Sequence, residues 1–226
     1  MLVHPTRPVH PLVEPADFAA DRLPDAVAAH EDALRVVHRW AWEYLCEPHA
    51  DLGRRGDVCP YTGTSLQKNL FFLTVHPGKP TDPAELAELL RHYREWFPEL
   101  EPTGGAGAQF KTILVLFPDL VGPADFAVVD RTQELLKVEY AAEGLMLGEF
   151  HPGPPDKAGL WNPEFRPLVS PVALLGMRHM VPTDFPFVRG DDATLSVYLR
   201  LFGDRVPTYL RQDVRAAADR LATSGS

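Results

Sequence analysis

Cysteine is almost absent: Cys46 and Cys59 are the two thiols in a chain of 226 residues. Two thiols are too few for a disulfide framework, and their spacing is not that of a zinc or redox CxxC pair. A reducing compartment is therefore expected. Basic residues are also scarce, with 22 Lys and Arg against 31 Asp and Glu, for a formal charge of -9. That field repels phosphate backbones and argues against nucleic acid as a partner. No apolar run approaches the ~20 residues that a membrane-crossing helix needs. The start of the chain shows no charged segment followed by an apolar one, so no secretory leader is expected and the cytoplasm is the expected location. Several catalytic templates are missing as well: no P-loop, no GxSxG, no HExxH, and no GxGxxG between a strand and a helix. Gly104, Gly105 and Gly107 precede an apolar run and read as a flexible turn.

Proline is plentiful, at 23 residues. It falls mainly between periodic segments and is interleaved with aromatics, which reads as long ordered loops rather than disorder. Residues 1–23 read as an extended arm, and residues 24–222 as one domain. Val27, His30, Leu34, Val37, Ala41 and Leu45 recur at three and four residues and predict a helix from Pro24 to about Cys46. Short apolar, β-prone runs predict strands at 69–75, 111–117, 145–150 and 172–177. Helices are predicted at 82–97, 123–143, 192–203 and 207–222. Asp82-Pro83-Ala84-Glu85 supplies a cap, a first-turn proline and a capping-box acid, and Gly144 supplies a stop. Residues 47–68 and 151–169 read as loops. The fold class this implies is α+β, with a single mixed sheet of about four to five strands covered by helices. The first two strands should be parallel, and the last two a wide hairpin.

Candidate chemistry gathers at strand ends. His151 follows the third strand and is held by Pro152, so its imidazole either projects into a cleft, where it suits iron, or sits exposed on a loop. The segment behind it sets Trp161 and Phe165 beside Asn162 and Arg166, an apolar wall with a few polar groups of the kind a flat cofactor or small substrate requires. Cys59, before Pro60, is either a thiolate facing a site or a small buried thiol. Arg178, near the end of the fourth strand, and Arg166 are carboxylate partners or surface ion pairs. His76 is a further imidazole at a strand end. Cys46, Trp40, Trp42 and Trp96 read as core.

The segments Val58-Cys59-Pro60-Tyr61, Leu145 to Pro152, Gly159-Leu160-Trp161-Asn162-Pro163 and Arg178-His179-Met180-Val181-Pro182 together resemble DUF6875, an actinobacterial family of unassigned function. A more distant similarity reaches the YqcI/YcgG-type proteins. They share the order of a Cys/Pro loop, strand, helix, strand, long helix, strand ending in His-Pro, Arg-containing loop and final strand. Some of them are haem-dependent oxygenases that hydroxylate nitrogen on amino-acid substrates. The resemblance implies haem b, with His151 as the iron ligand and Cys59, Arg166, Arg178 and Trp161 around it. It also implies an amino-acid-like substrate in specialised metabolism. A non-enzymatic haem or small-molecule sensor is the alternative. A third reading is a cofactor-free enzyme with Cys59 as nucleophile and a nearby histidine as base. Cys59 and His151 are expected to face one cavity, and a homodimer is left open.

Overall fold

A computed structural model describes residues 1–20, 22–153 and 155–224. Its frame is one four-stranded mixed sheet in the order β1-β2-β4-β3. The strands are β1 (Phe71–Val75), β2 (Thr112–Phe117), β3 (Leu145–Phe150) and β4 (Ala173–His179). β1 and β2 are parallel, and β4 runs antiparallel to both β2 and β3. The α+β expectation holds.

The strands are almost continuously apolar because both sheet faces are covered. Side chains alternate between the faces. Phe72, Ile113, Val115, Leu147, Leu175 and Met177 pack toward α3 (Pro83–Trp96) and α4 (Pro123–Ala142). Phe71, Leu73, Val75, Leu114, Leu116 and Leu174 pack toward α1 (Glu31–Trp40). A short helix, α2 (Thr62–Gln67), falls in a stretch expected to be loop. Three further helices, α5 (Phe185–Val188), α6 (Asp192–Phe202) and α7 (Arg211–Ser224), end the described chain, with Leu195 and Tyr198 packed in one cluster with Ala141 of α4.

Two details refine the expected outline. The extended N-terminal segment is anchored to the domain. Leu12 and Val13 are fully buried, one in each core, and Val13 exchanges backbone hydrogen bonds of 2.7 and 2.9 Å with Leu73 at the free edge of β1. The first helix is also not uniform. A 3-10 turn at Asp25–His30 leads into α1, which runs on as a π-helical turn at Ala41–Leu45. Such wide turns re-aim side chains and recur at functional places.

Gly148 and Gly176 are register partners on β3 and β4 and lie on the α1 face. A Cβ at Gly148 would come within 3.2 Å of the Phe150 ring, and one at Gly176 within 3.5 Å. The two missing side chains therefore let Phe150 fold back over its own strand, and Trp40 stands edge-on to it at 5.9 Å.

Candidate functional site

β1, β2 and β3 point the same way, so their carboxyl ends share one side of the sheet. His151 follows β3 there, and alternation turns its ring toward α4 together with Glu149. Phe126, Asp130 and Gln133, spaced four and three along α4, meet them on one helix face. The ring of His151 stacks on Phe126 at 4.7 Å and 12°. Its Nε2 lies 3.1 Å from Asp130 Oδ1. A carboxylate only accepts, so Nε2 carries the proton and donates. Nδ1 is buried without a partner.

Glu149 is buried beside this pair. Its Oε1 is paired with Lys157 from the loop after β3, and its Oε2 has no partner. Burial pushes the Glu149 carboxyl above its ordinary range, and Lys157 opposes the shift. Lys157 also donates to Gln133 Oε1 at 3.3 Å, while Gln133 Nε2 donates to the Leu147 carbonyl at 3.0 Å. The cluster locks the start of the 151–169 loop onto α4.

A haem at His151 needs a free ring nitrogen with open space beside it. Nε2 is spent on Asp130, and one ring face is covered by Phe126. A Cβ at Gly153 would lie 3.7 Å from Nδ1, so the chain itself occupies that side. His151 is 4% exposed and is neither a loop-surface residue nor an open ligand. The residues around it do not fit a haem.

The other expected site residues do not join it. Trp161 is 53% exposed, and its ring meets Tyr209 at 6.4 Å. Arg166 donates to the Pro163 carbonyl at 2.6 Å and lies 3.7 Å from Asp156. Phe165 turns inward instead, against His49 at 4.8 Å. Neither Trp161 nor Arg166 forms a wall beside the imidazole.

The expectation of one cavity for Cys59 and His151 is overturned. Cys59 packs against the core on the α1 face, whereas His151 lies on the α4 face. They are also at opposite ends of the sheet. The Cys59 loop leads through α2 into the amino end of β1, whereas His151 follows the carboxyl end of β3. His151 is therefore not the base of a Cys59 nucleophile. Arg178 shares the Cys59 side, because β4 runs the other way and pairs Arg178 with Met146 but Leu174 with Phe150. Its guanidinium binds both oxygens of Asp184 at 2.7 Å and lies 5.9 Å from the Tyr61 ring. Burial alone would lower its pKa, but Asp184 more than offsets that and the net shift is upward. Arg178 is thus committed to an internal carboxylate and is not free to clamp a substrate.

The main chain of His151 borders a different feature. Its carbonyl accepts from Ser170 N at 3.3 Å, which draws the two ends of the long loop together. Pro152, Val169, Ser170 and Pro171 then form one wall of a groove of about 590 Å³, and Val36, Arg39, Trp40, Glu43 and Tyr44 form the other. Trp40 and Tyr44 stack at 5.9 Å and 23°, and the Tyr44 hydroxyl donates to the Pro167 carbonyl at 3.2 Å. Among the described residues, no hydrogen bond or ion pair engages the charged ends of Arg39 and Glu43. The groove is apolar between two free, opposite charges. Trp40, read as core, does pack half-buried against the α1-face core and lines this groove as well; the signal for that second role is Arg39 and Glu43 flanking an aromatic pair on one helix face. Trp42, also read as core, is 39% exposed.

The fold is an α+β sandwich with this groove along its α1 side. The chain belongs to the DUF6875 family, a domain of unknown function, whose model matches residues 34–213. No curated protein and no solved structure matches it. No described helix is long and apolar enough to cross a membrane, and no described group of three or more His, Cys, Asp or Glu is placed to hold a metal ion.

Proposed function

We propose that this protein binds an amphipathic, amino-acid-like small molecule in the groove between α1 and the loop after β3. The observation that carries the reading is the unpaired Arg39 and Glu43 beside the Trp40–Tyr44 stack. A zwitterion offers a carboxylate to the guanidinium and an ammonium to the glutamate, and its apolar part covers the aromatic floor. Prolines in the opposite wall hold it with little entropy left to lose on binding. The test is calorimetric titration with a panel of amino acids, read together with tryptophan fluorescence. Arg39→Ala and Glu43→Ala should each weaken binding about tenfold, the scale of one lost charge-assisted hydrogen bond. Unchanged affinity in both variants would reject the groove as the site.

A haem-dependent N-oxygenase is the second reading. The chain order favours it, with His151-Pro152 closing β3 ahead of an Arg-containing loop and a final strand. The residues packed on the ring do not fit a haem, so it requires His151 to leave Asp130, Phe126 and the Gly153 backbone together. A Soret band on adding haemin that is lost in His151→Ala would support it, and a colourless protein would oppose it.

A further inference from the structure

Cys46 ends the π-helical turn after α1, and Cys59 lies in the loop before α2. In sequence they are far from a CxxC pair, yet the fold sets their segments against each other. Pro48 and Asp57 form an antiparallel bridge. Val58 N donates to the Glu47 carbonyl at 3.0 Å, and Cys59 N donates to the Leu45 carbonyl at 2.8 Å. Cys46 is the residue between those two acceptors, in a turn conformation at φ -92° and ψ 3°, so the two bonds hold its segment against that of Cys59. Both side chains pack on one core cluster and Cys59 acts electrostatically on Cys46, so the thiols are neighbours, as a disulfide with its Cα span of roughly 4.4–6.8 Å requires. The Cys46 sulfur faces the first turn of α2, which directly follows the Cys59 loop, 3.8 Å from where a Cβ of Gly63 would stand. Both thiols are free and half-buried.

We propose that Cys46 and Cys59 are an oxidisable pair that closes to an intramolecular disulfide when the protein meets hydrogen peroxide. The balance is two thiols and one peroxide giving one disulfide and two waters. The first sulfur attacks the O–O bond and becomes a sulfenic acid as one water leaves. The second attacks that sulfur and releases the hydroxyl as the second water. Burial pushes the Cys46 thiol up to about 11, with neighbouring Cys59 adding to the shift. A thiol held protonated attacks peroxide slowly, so Cys46 is assigned the resolving step and Cys59 the first attack. The bond would tie the end of the helical segment carrying Trp40, Glu43 and Tyr44 to the loop that leads into β1.

The full-length chain is treated with hydrogen peroxide, alkylated, and weighed intact and after proteolysis. The expected result is simultaneous loss of both titratable thiols, a mass lower by one hydrogen molecule, and a peptide linking Cys46 to Cys59. Dithiothreitol should reverse all three. Cys46→Ser should instead gain oxygen at Cys59. Oxygen gained at Cys59 of the unaltered chain with Cys46 still titratable would overturn the proposal, as would a disulfide between two chains or thiols that both resist peroxide.

Discussion

His151 and Asp130 close the carboxyl end of β3 onto α4 through a contact of 3.1 Å. The imidazole is also stacked on Phe126 and buried, so it is held from two directions. Replacing it removes a packed ring and a charge-assisted hydrogen bond. His151→Ala should lower the unfolding free energy by about 2–3 kcal/mol. The measurement is the urea midpoint at constant slope, and an unchanged midpoint would mean that the ring is not seated there.

Glu149 gives a pH signature with a definite sign. Burial raises its folded-state pKa, with Lys157 opposing. The native state then holds the proton more tightly than the unfolded chain. Stability should fall as pH rises from the ordinary carboxylate range through the raised folded value, and level off above it. Glu149→Gln should flatten that part of the profile and raise the melting temperature at neutral pH. A lower melting temperature in the variant at neutral pH would show that the Lys157 pair outweighs burial.

Arg178 and Asp184 test whether the arginine is structural. Their two contacts of 2.7 Å are supplemented by Val181 N on Asp184 at 2.8 Å. Asp184→Ala strands a largely buried guanidinium and should cost about 3–5 kcal/mol. An arginine that served only as a substrate clamp would behave otherwise: thermal stability would hold while ligand affinity dropped.

Gly176 tests the packing of Phe150 beside Trp40. A Cβ there would come within 2.8 Å of Leu114 Cδ2 and 3.5 Å of the Phe150 ring. Leu114 has only neighbouring core to move into, so Gly176→Ala should cost about 1–3 kcal/mol. Trp40 fluorescence should shift as Phe150 is displaced. A variant with wild-type stability and an unshifted spectrum would show that the Gly148–Gly176 pair does not set the position of Phe150.

Much of the fold was legible in the chain. Leu145–Phe150 alternates, and 71–75 and 112–117 are continuously apolar, so periodicity and burial on two faces located three strands nearly to the residue. Caps and prolines located α3 and α4. The short α2 was missed because six residues with a Gly, three hydroxyl side chains and an amide carry little helical preference, and α2 is held by the packing of Leu66 under β1. The site was less legible. His151 was located at a strand end, but the ring's side of the sheet is set by alternation together with α4 packing, and its partner Asp130 lies on a helix for which only the ends were read.

What the sequence determined alone is what depends on neighbours along the chain: strand and helix periods, capping, the acidic surface, and the lack of a membrane-length apolar run. What only the tertiary structure decided is which distant residues meet. Trp40 opposite Pro152 and Cys46 beside Cys59 are products of two segments returning to one place, as are Arg178 on Asp184 and His151 on Asp130. Such meetings follow from strand order and direction, which local preference does not encode. Reversing β4 relative to β3 is enough to send Arg178 and His151 to opposite ends of the same sheet.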